Sequence, residues 1–334
     1  MNAASLRISY LFESSEMAGG HRVALAQADA LIARGHRVRI VTKGGPLTWG
    51  RSNATWTHVA TLEEYDAGGD DFVVGTFYKT LPAAHAIAPG RAVHLCQGYE
   101  ALIPHYAEEL AAIERAYSLP LPKLVVSPHL VPICARFNDR VECVGQIVDR
   151  VFYRDLPARE HDPLRLLLVG EMQAGFRGVA DAYAAIRAAR AAGARFDLVR
   201  VSSLGPADGE PLHESSEFHT AVTNDAMTGI VHSCDIAIAP NHAVEGFGLP
   251  AAEAMASGLP LVATRIPAYL SFDGHDDFAL FADPGNPESL TAALSRMLGD
   301  GELRQRLRLR GRRVAESFDA APVAMRIERF LLSL

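Results

Sequence analysis

The sequence predicts an α/β protein built from two doubly wound, Rossmann-like domains that face a cleft. Three observations carry this expectation. Short β-rich runs alternate with helical segments nearly throughout. The alternation restarts after a polar, proline-bounded stretch, "DLPAREHDP" (155–163). The 334-residue length suits two domains of ordinary size.

The elements follow in order. "LRISYLF" (6–12) reads as a strand, and "GGHRVALAQADALIARG" (19–35) as a helix with Val23, Ala26 and Ala30 near one face. Gly35 fits its C-terminal cap. "HRVRIVT" (36–42) alternates Arg37 and Arg39 with Val38 and Ile40, the period of a strand. "DFVVGTF" (71–77), "RAVHLCQ" (91–97) and "KLVVSP" (123–128) repeat the short apolar run. After the linker, "LRLLLVG" (164–170) is a strand and "GVADAYAAIRAARAAG" (178–193) a helix ended by Gly193. "RFDLVRVS" (195–202), "DIAIAP" (235–240) and "LPLVAT" (259–264) are strands; "NDAMTGIVHSC" (224–234) and "PAAEAMASG" (250–258) are helices. Strand–helix–strand order implies parallel sheets covered on both faces. Such sheets bind ligands beyond the carboxyl ends of their strands.

Composition excludes several classes. Apolar residues make up 49% and charged residues 21%, the profile of a soluble globular protein. The net charge of -7 argues against a nucleic-acid partner, because a phosphate backbone needs a basic surface. Cys96, Cys134, Cys143 and Cys234 show no zinc spacing and read as reduced thiols of a cytoplasmic protein. The N-terminus lacks the pattern of a signal peptide, and no apolar run is long enough to span a membrane. The arginine-rich "ELRQRLRLRGRRVAESF" (302–318) reads as a solvated helix face with Leu303, Leu307 and Val314 packed inward; peripheral contact with an anionic inner membrane face is the alternative. Asp70–Asp71 and Asp276–Asp277 read as solvated turns, so no metal site is expected.

The segment "EGFGLPAAEAMASGLPLVAT" (245–264) carries the chemistry. Pro250 suits the first helical position, leaving the amides of Gly248, Leu249 and Ala251 toward the loop. A helix N-terminus preceded by glycines is a ready anion site. "GFGLPA" also matches the dinucleotide pattern G-x-G-x-x-A, but no acid ends the next strand and Glu245 stays unexplained. A diphosphate flanked by two hydroxyl-bearing groups accounts for both carboxylates. Glu253, placed in the first helical turn, accepts from a ribose diol, and Glu245 accepts from a sugar.

This segment resembles the E-x7-E motif of the retaining glycosyltransferases of family 4, which have the two-domain GT-B fold. "CDIAIAPN" (234–241), "FADPGNPESLTAALSRML" (281–298) and "MAGGHRVALAQADALIARGHRVRIVT" (17–42) resemble the family's flanking segments. "VHLCQGYE" (93–100) is similar to the acceptor-side loop of rhamnosyltransferase-like members. The resemblance implies an acceptor-side domain at 1–156, a nucleotide-sugar domain at 157–317, and a C-terminal helix at 318–334 that packs back toward the first. It implies that Glu253 holds the ribose and Glu245 faces the donor sugar. Gly246, Phe247, Gly248 and Leu249 then wrap sugar and phosphate with backbone, and Gly19 and Gly20 approach the diphosphate. In "VGEMQAGFRG" (169–178), Gly170-Glu171 stands where the family has Gly-Arg, and Arg177-Gly178 where it has Lys-Gly. Arg177 is therefore the expected phosphate cation. Gln97 holds the place of a histidine near the donor sugar, while His94 reads as an ordinary strand histidine.

The implied activity is retaining transfer of a sugar from a UDP- or GDP-linked donor to a hydroxyl of a glycan, a lipid-linked or a small-molecule acceptor. It needs no further cofactor. Backbone groups near 202–205 and 219–223 are expected to meet the base. The rival readings are a catalytically silent nucleotide-sugar-binding protein, for which Glu171 speaks, and a dinucleotide-dependent oxidoreductase built on "GFGLPA".

Overall fold

The computed structural model describes residues 5–16, 19–45, 52–153 and 160–334. Residues 155–159 of the expected linker lie outside the described residues. The chain forms two compact units, 1–147 with 320–334, and 148–319.

The first unit holds a seven-stranded parallel sheet. Its strands are β1 (Arg7–Phe12), β2 (Arg37–Lys43), β3 (Thr55–Val59), β4 (Phe72–Gly75), β5 (Ala92–Cys96), β6 (Lys123–Val125) and β7 (Val141–Cys143), in the order β3-β2-β1-β4-β5-β6-β7. Its helices are α1 (Gly19–Ala33), α2 (Leu81–Ile87), α3 (Leu110–Tyr117) and α4 (Val131–Cys134). The central strands are mostly apolar on both faces, as crossover connections favour: Tyr10, Leu11 and Phe12 of β1 and Val73 and Val74 of β4 are fully buried.

The second unit holds a six-stranded parallel sheet in the order β10-β9-β8-β11-β12-β13. Its strands are β8 (Leu164–Val169), β9 (Phe196–Ser202), β10 (Glu217–Thr220), β11 (Ile236–Ala239), β12 (Leu261–Thr264) and β13 (Ala279–Ala282). Helices α5 (Val179–Ala191), α6 (Asn224–His232), α7 (Leu249–Ala256), α8 (Pro267–Leu270), α9 (Pro287–Gly299) and α10 (Gly301–Ala315) complete it. Leu166, Leu168, Ile186, Ile238, Val262 and Leu294 share one core cluster. Side chains cap three of the helices: Thr223 accepts from the Ala226 amide, Asn286 from Ser289 and Asp300 from Leu303.

The strand order reverses at β1/β4 in the first unit and at β8/β11 in the second. These are the topological switch points at which an open α/β sheet receives a ligand. The doubly wound expectation therefore holds in both units. The strands that the sequence did not announce are β3, β7, β10 and β13, which are the edges of the two sheets. An edge strand has one neighbour and tolerates polar side chains, so "TWTHV" and "EFHT" lack the apolar run that marks a central strand.

The last helix, α11 (Ala320–Leu331), belongs to the first unit. It is held there by Glu328, whose Oε2 accepts from Arg34 Nε at 2.8 Å and whose Oε1 lies 3.3 Å from His36 Nε2. In α10, Leu303, Leu307 and Val314 are buried as expected. Several of its arginines are committed: Arg304 to Glu160, and Arg310 to Asp273 and Asp277. Asp276 accepts from Arg265 at 2.6 Å. Asp70 is not solvated: it is buried and accepts from the Tyr65 hydroxyl at 2.8 Å. Among the described residues, no helix is long and apolar enough to cross a membrane, and no cluster of His, Cys, Asp and Glu could hold a metal ion.

Candidate functional site

In the second unit, the loops after β8 and β11 meet at the switch point. The first runs from Gly170 to Gly178, the second from Pro240 to Gly248. Gly178 caps α5 with φ +66°. A Cβ there would lie 1.9 Å from the Pro240 carbonyl oxygen, so only glycine lets these loops touch. His242 clasps them further: its amide donates to the Phe176 carbonyl at 2.7 Å, and its Nε2 lies 2.9 Å from Asp181 Oδ2.

This close approach delivers Arg177 to Glu245 across a separation of 68 residues. Arg177 Nη1 donates to Glu245 Oε2 at 2.5 Å, and Arg177 Nε lies 3.5 Å from Glu171 Oε2. Glu171 also accepts from the Ser203 hydroxyl. The guanidinium therefore sits between two carboxylates, and its charge is reinforced chiefly by Glu245 and secondarily by Glu171. Burial works against the charge of Glu171, but the Ser203 hydroxyl and Arg177 together hold its carboxyl below the ordinary range. Glu171, met in the sequence as a missing cation, has two structural partners.

Glu245 is buried and saturated. Its Oε2 accepts from Arg177 and from Asn241 Nδ2 at 2.6 Å; its Oε1 accepts from the amides of Gly246 at 3.1 Å and Phe247 at 3.5 Å. A carboxylate offers about four acceptor positions, and four protein donors face this one.

The glycine turn differs from the expected geometry in three details. Gly248, with φ +91°, is the cap, so Leu249 is the first helical residue and Pro250 the second. The Ala251 amide donates to the Gly248 carbonyl at 3.0 Å and does not face the loop. Glu253 lies one turn into α7 rather than in its first turn, and it is buried. Phe247 contributes backbone alone: its ring packs on Phe272 and Phe318, with centroids 4.9 and 5.2 Å away. Gly170, at φ +140°, packs its Cα side against Arg177, whose Cβ would be 3.5 Å from a side chain there.

Two residues of this site were given no role by the sequence. Asn241 follows β11, and Tyr269 sits in α8, 28 residues away. Asn241 was legible only as a polar residue ending an apolar strand, and Tyr269 only as an aromatic near a proline.

In the first unit the ends of β1, β4 and β5 and the start of α1 converge. The Thr76 hydroxyl donates to the Leu11 carbonyl at 2.6 Å, and Gln97 Nε2 donates to the Thr76 carbonyl at 3.3 Å. Gly20 lies against the same amide: a Cβ there would be 3.1 Å from Gln97 Nε2. Gln97 Oε1 is buried with no partner among the described residues. Gly19 opens α1 with open space around its Cα. His94 lies edge-on to Tyr117 with centroids 4.7 Å apart, and burial, aided by Lys123, pushes its pKa well below the ordinary histidine value. It is a neutral core residue.

Residues 163–300 match the family model described as "Glycosyl transferases group 1". The chain is 36% identical over 116 residues to the MMP alpha-(1->4)-mannosyltransferase of Mycolicibacterium hassiacum, a stretch covering 34% of this chain and 26% of that one. It is 29% identical over 141 residues to the phosphatidyl-myo-inositol mannosyltransferase of Mycobacterium leprae, covering 40% of this chain and 38% of that one. These matches thus span well under half of each curated relative. Among solved structures, HepE of Anabaena in complex with UDP and glucose superposes with a TM-score of 0.80 at 13% identity, covering 98% of this chain and 100% of that one. The fold is the two-domain GT-B fold.

Proposed function

We propose that this chain is a glycosyltransferase that moves a sugar from a nucleoside diphosphate sugar to an acceptor hydroxyl. The observation that carries the reading is the Arg177–Glu245 pair, held at the β8/β11 switch point beside the glycine turn and the start of α7. The match of 163–300 to the group 1 glycosyltransferases supports it from an independent side. We assign it, on the resemblance of its motifs, to the retaining family 4 enzymes with a rhamnosyltransferase-like acceptor side. The donor is UDP- or GDP-linked, as the UDP of HepE suggests. The acceptor is a glycan, a lipid-linked or a small-molecule hydroxyl.

Sugar transfer builds positive charge at the anomeric carbon and negative charge on the leaving phosphate. Stabilising that phosphate is the protein's main task. The start of α7 and the Gly248–Leu249 backbone present amide dipoles to it. Arg177 supplies the side-chain charge. Because Glu245 fixes the guanidinium beforehand, little reorganisation is needed as charge develops. Glu245 thus acts through Arg177. Glu253 accepts from the ribose, Gly19 and Gly20 approach the diphosphate, and Gln97 serves the sugar. Retention follows from attack on the face the leaving group vacates, with the departing phosphate taking the acceptor proton. No protein nucleophile is required.

One observation favours a silent binding protein as the second reading: Glu171 beside Arg177 leaves the trio of Glu171, Arg177 and Glu245 with an excess negative charge. A thermal-shift panel of UDP, GDP, TDP and ADP tests binding, since a ligand at a hundred times its Kd stabilises by about 2.7 kcal/mol. Release of nucleotide from the matching sugar donor then separates enzyme from binder. A chain stabilised by none of the four nucleotides does not have the proposed activity.

A further inference from the structure

We infer that Tyr269 and Asn241 are positioning residues that hold Glu245, and through it the Arg177 guanidinium, in one orientation against the glycine turn. The inference rests on Arg177 being the cation for the donor phosphate.

The chain of contacts is continuous. The Tyr269 hydroxyl donates to Asn241 Oδ1 at 2.7 Å, Asn241 Nδ2 donates to Glu245 Oε2 at 2.6 Å, and Arg177 Nη1 donates to that same oxygen at 2.5 Å. Its polarity is fixed by chemistry. The Glu245 carboxylate only accepts, so Asn241 must turn its amino group to it and its oxygen to the phenol, to which the Tyr269 hydroxyl then donates. Tyr269 is buried, and burial, together with the Glu245 charge, holds its pKa well above the ordinary phenol value. The backbone of Asn241 is pinned as well, because its carbonyl accepts from the Thr264 hydroxyl.

Tyr269 also fixes the turn itself. A Cβ on Gly248 would lie 2.3 Å from Tyr269 Cε1, so the ring is packed directly under the residue that caps α7. One side chain therefore sets both halves of the anion site, the helix N-terminus through its ring and the guanidinium through its hydroxyl. Buried polar groups of this kind cost desolvation unless every member is satisfied. Placing four of them in a row is explained by orientation, since well-packed apolar residues would serve stability alone as well.

Three substitutions in the full chain test this. Tyr269→Phe removes one oxygen and keeps the ring. It should lower kcat by about tenfold while changing the Kd for UDP or GDP, whichever stabilises the wild type, by less than about threefold. Tyr153→Phe is the control: it also loses one bond, a 2.7 Å contact to the Ala315 carbonyl, and should leave kcat unchanged. Asn241→Asp places a second carboxyl beside Glu245, whose Oε2 also accepts from Arg177, with the Tyr269 hydroxyl as its other hydrogen-bond partner. Deprotonated, it repels Glu245; protonated, it donates as the amide does. Activity of Asn241→Asp should therefore be low at neutral pH and recover toward wild type as pH falls. A loss of packing alone does not produce that profile. Equal kcat for Tyr269→Phe and Tyr153→Phe, or parallel pH profiles for Asn241→Asp and wild type, would overturn the proposal.

A ligand-free measurement separates this inference from the functional reading. Tm values of Tyr269→Phe, Arg177→Gln and the double variant should be non-additive, the double losing less than the sum, because the residues share one network. Additive losses would overturn the relay whatever the substrate. Non-additive losses in a protein that binds none of the nucleotides would leave the relay standing and remove the proposed activity.

Discussion

Gly178→Ala should be among the most damaging small substitutions in the second unit, and Gly193→Ala should calibrate it. Both glycines flank α5, and both have positive φ, +66° and +94°. An alanine in that region costs about 1–2 kcal/mol in backbone conformation. At Gly193 nothing lies within 4 Å of the added Cβ, so that term stands alone. At Gly178 the Cβ lands 1.9 Å from the Pro240 carbonyl oxygen and 2.7 Å from its carbon. Backbone must move, and forced overpacking adds about 1–3 kcal/mol. The totals are about 1–2 kcal/mol for Gly193→Ala and about 2–5 kcal/mol for Gly178→Ala. A domain of this size loses about 2–4 °C in Tm per kcal/mol, so Gly178→Ala should melt about 10 °C below wild type and Gly193→Ala about 4 °C below. Differential scanning calorimetry reads both. Because Pro240 precedes Asn241, Gly178→Ala should also lower kcat, which Gly193→Ala should not. Equal Tm losses for the two variants would refute the close contact between the β8 and β11 loops on which the site is built.

Other outcomes follow from the same geometry. Arg177→Ala should cut kcat/KM by about 10²-fold, the effect of losing one preformed donor to a developing anion; steady-state kinetics with the identified donor would expose near-wild-type turnover. Arg177→Lys should recover part of this, since charge persists without the planar fork. Glu253→Gln should weaken binding of the free nucleoside diphosphate and leave the fold intact, and calorimetric titration showing unchanged affinity would remove it from the ribose. The lowered pKa of Glu171 makes its contribution to stability present above the ordinary glutamate range and lost as pH falls through the folded value. The Tm gap between wild type and Glu171→Gln should therefore narrow on acidification, and a gap that does not change with pH would show that the carboxylate's charge is not what stabilises the loop.

The sequence by itself determined the alternation of central strands and helices, the two-unit organisation and the glycine turn that opens α7. These are local properties. A buried parallel strand is apolar over most of its length, as Leu166–Leu168 and Ile236–Ile238 are, and a cap in the left-handed region calls for glycine, as at Gly178 and Gly248. The edge strands escaped because partial exposure frees them from that requirement. The roles of the charged residues were decided by tertiary structure. The sequence read Glu245 as a sugar acceptor and Glu171 as a missing cation, and gave neither a partner; both turn toward Arg177 once the two loops touch. Nothing in the local pattern of "GFRG" or "NHAVEG" encodes that meeting, and nothing near Tyr269 announces the Asn241 oxygen it bonds. Such contacts join residues far apart in the chain. They exist only because the order of strands in the sheet brings the ends of β8 and β11 side by side.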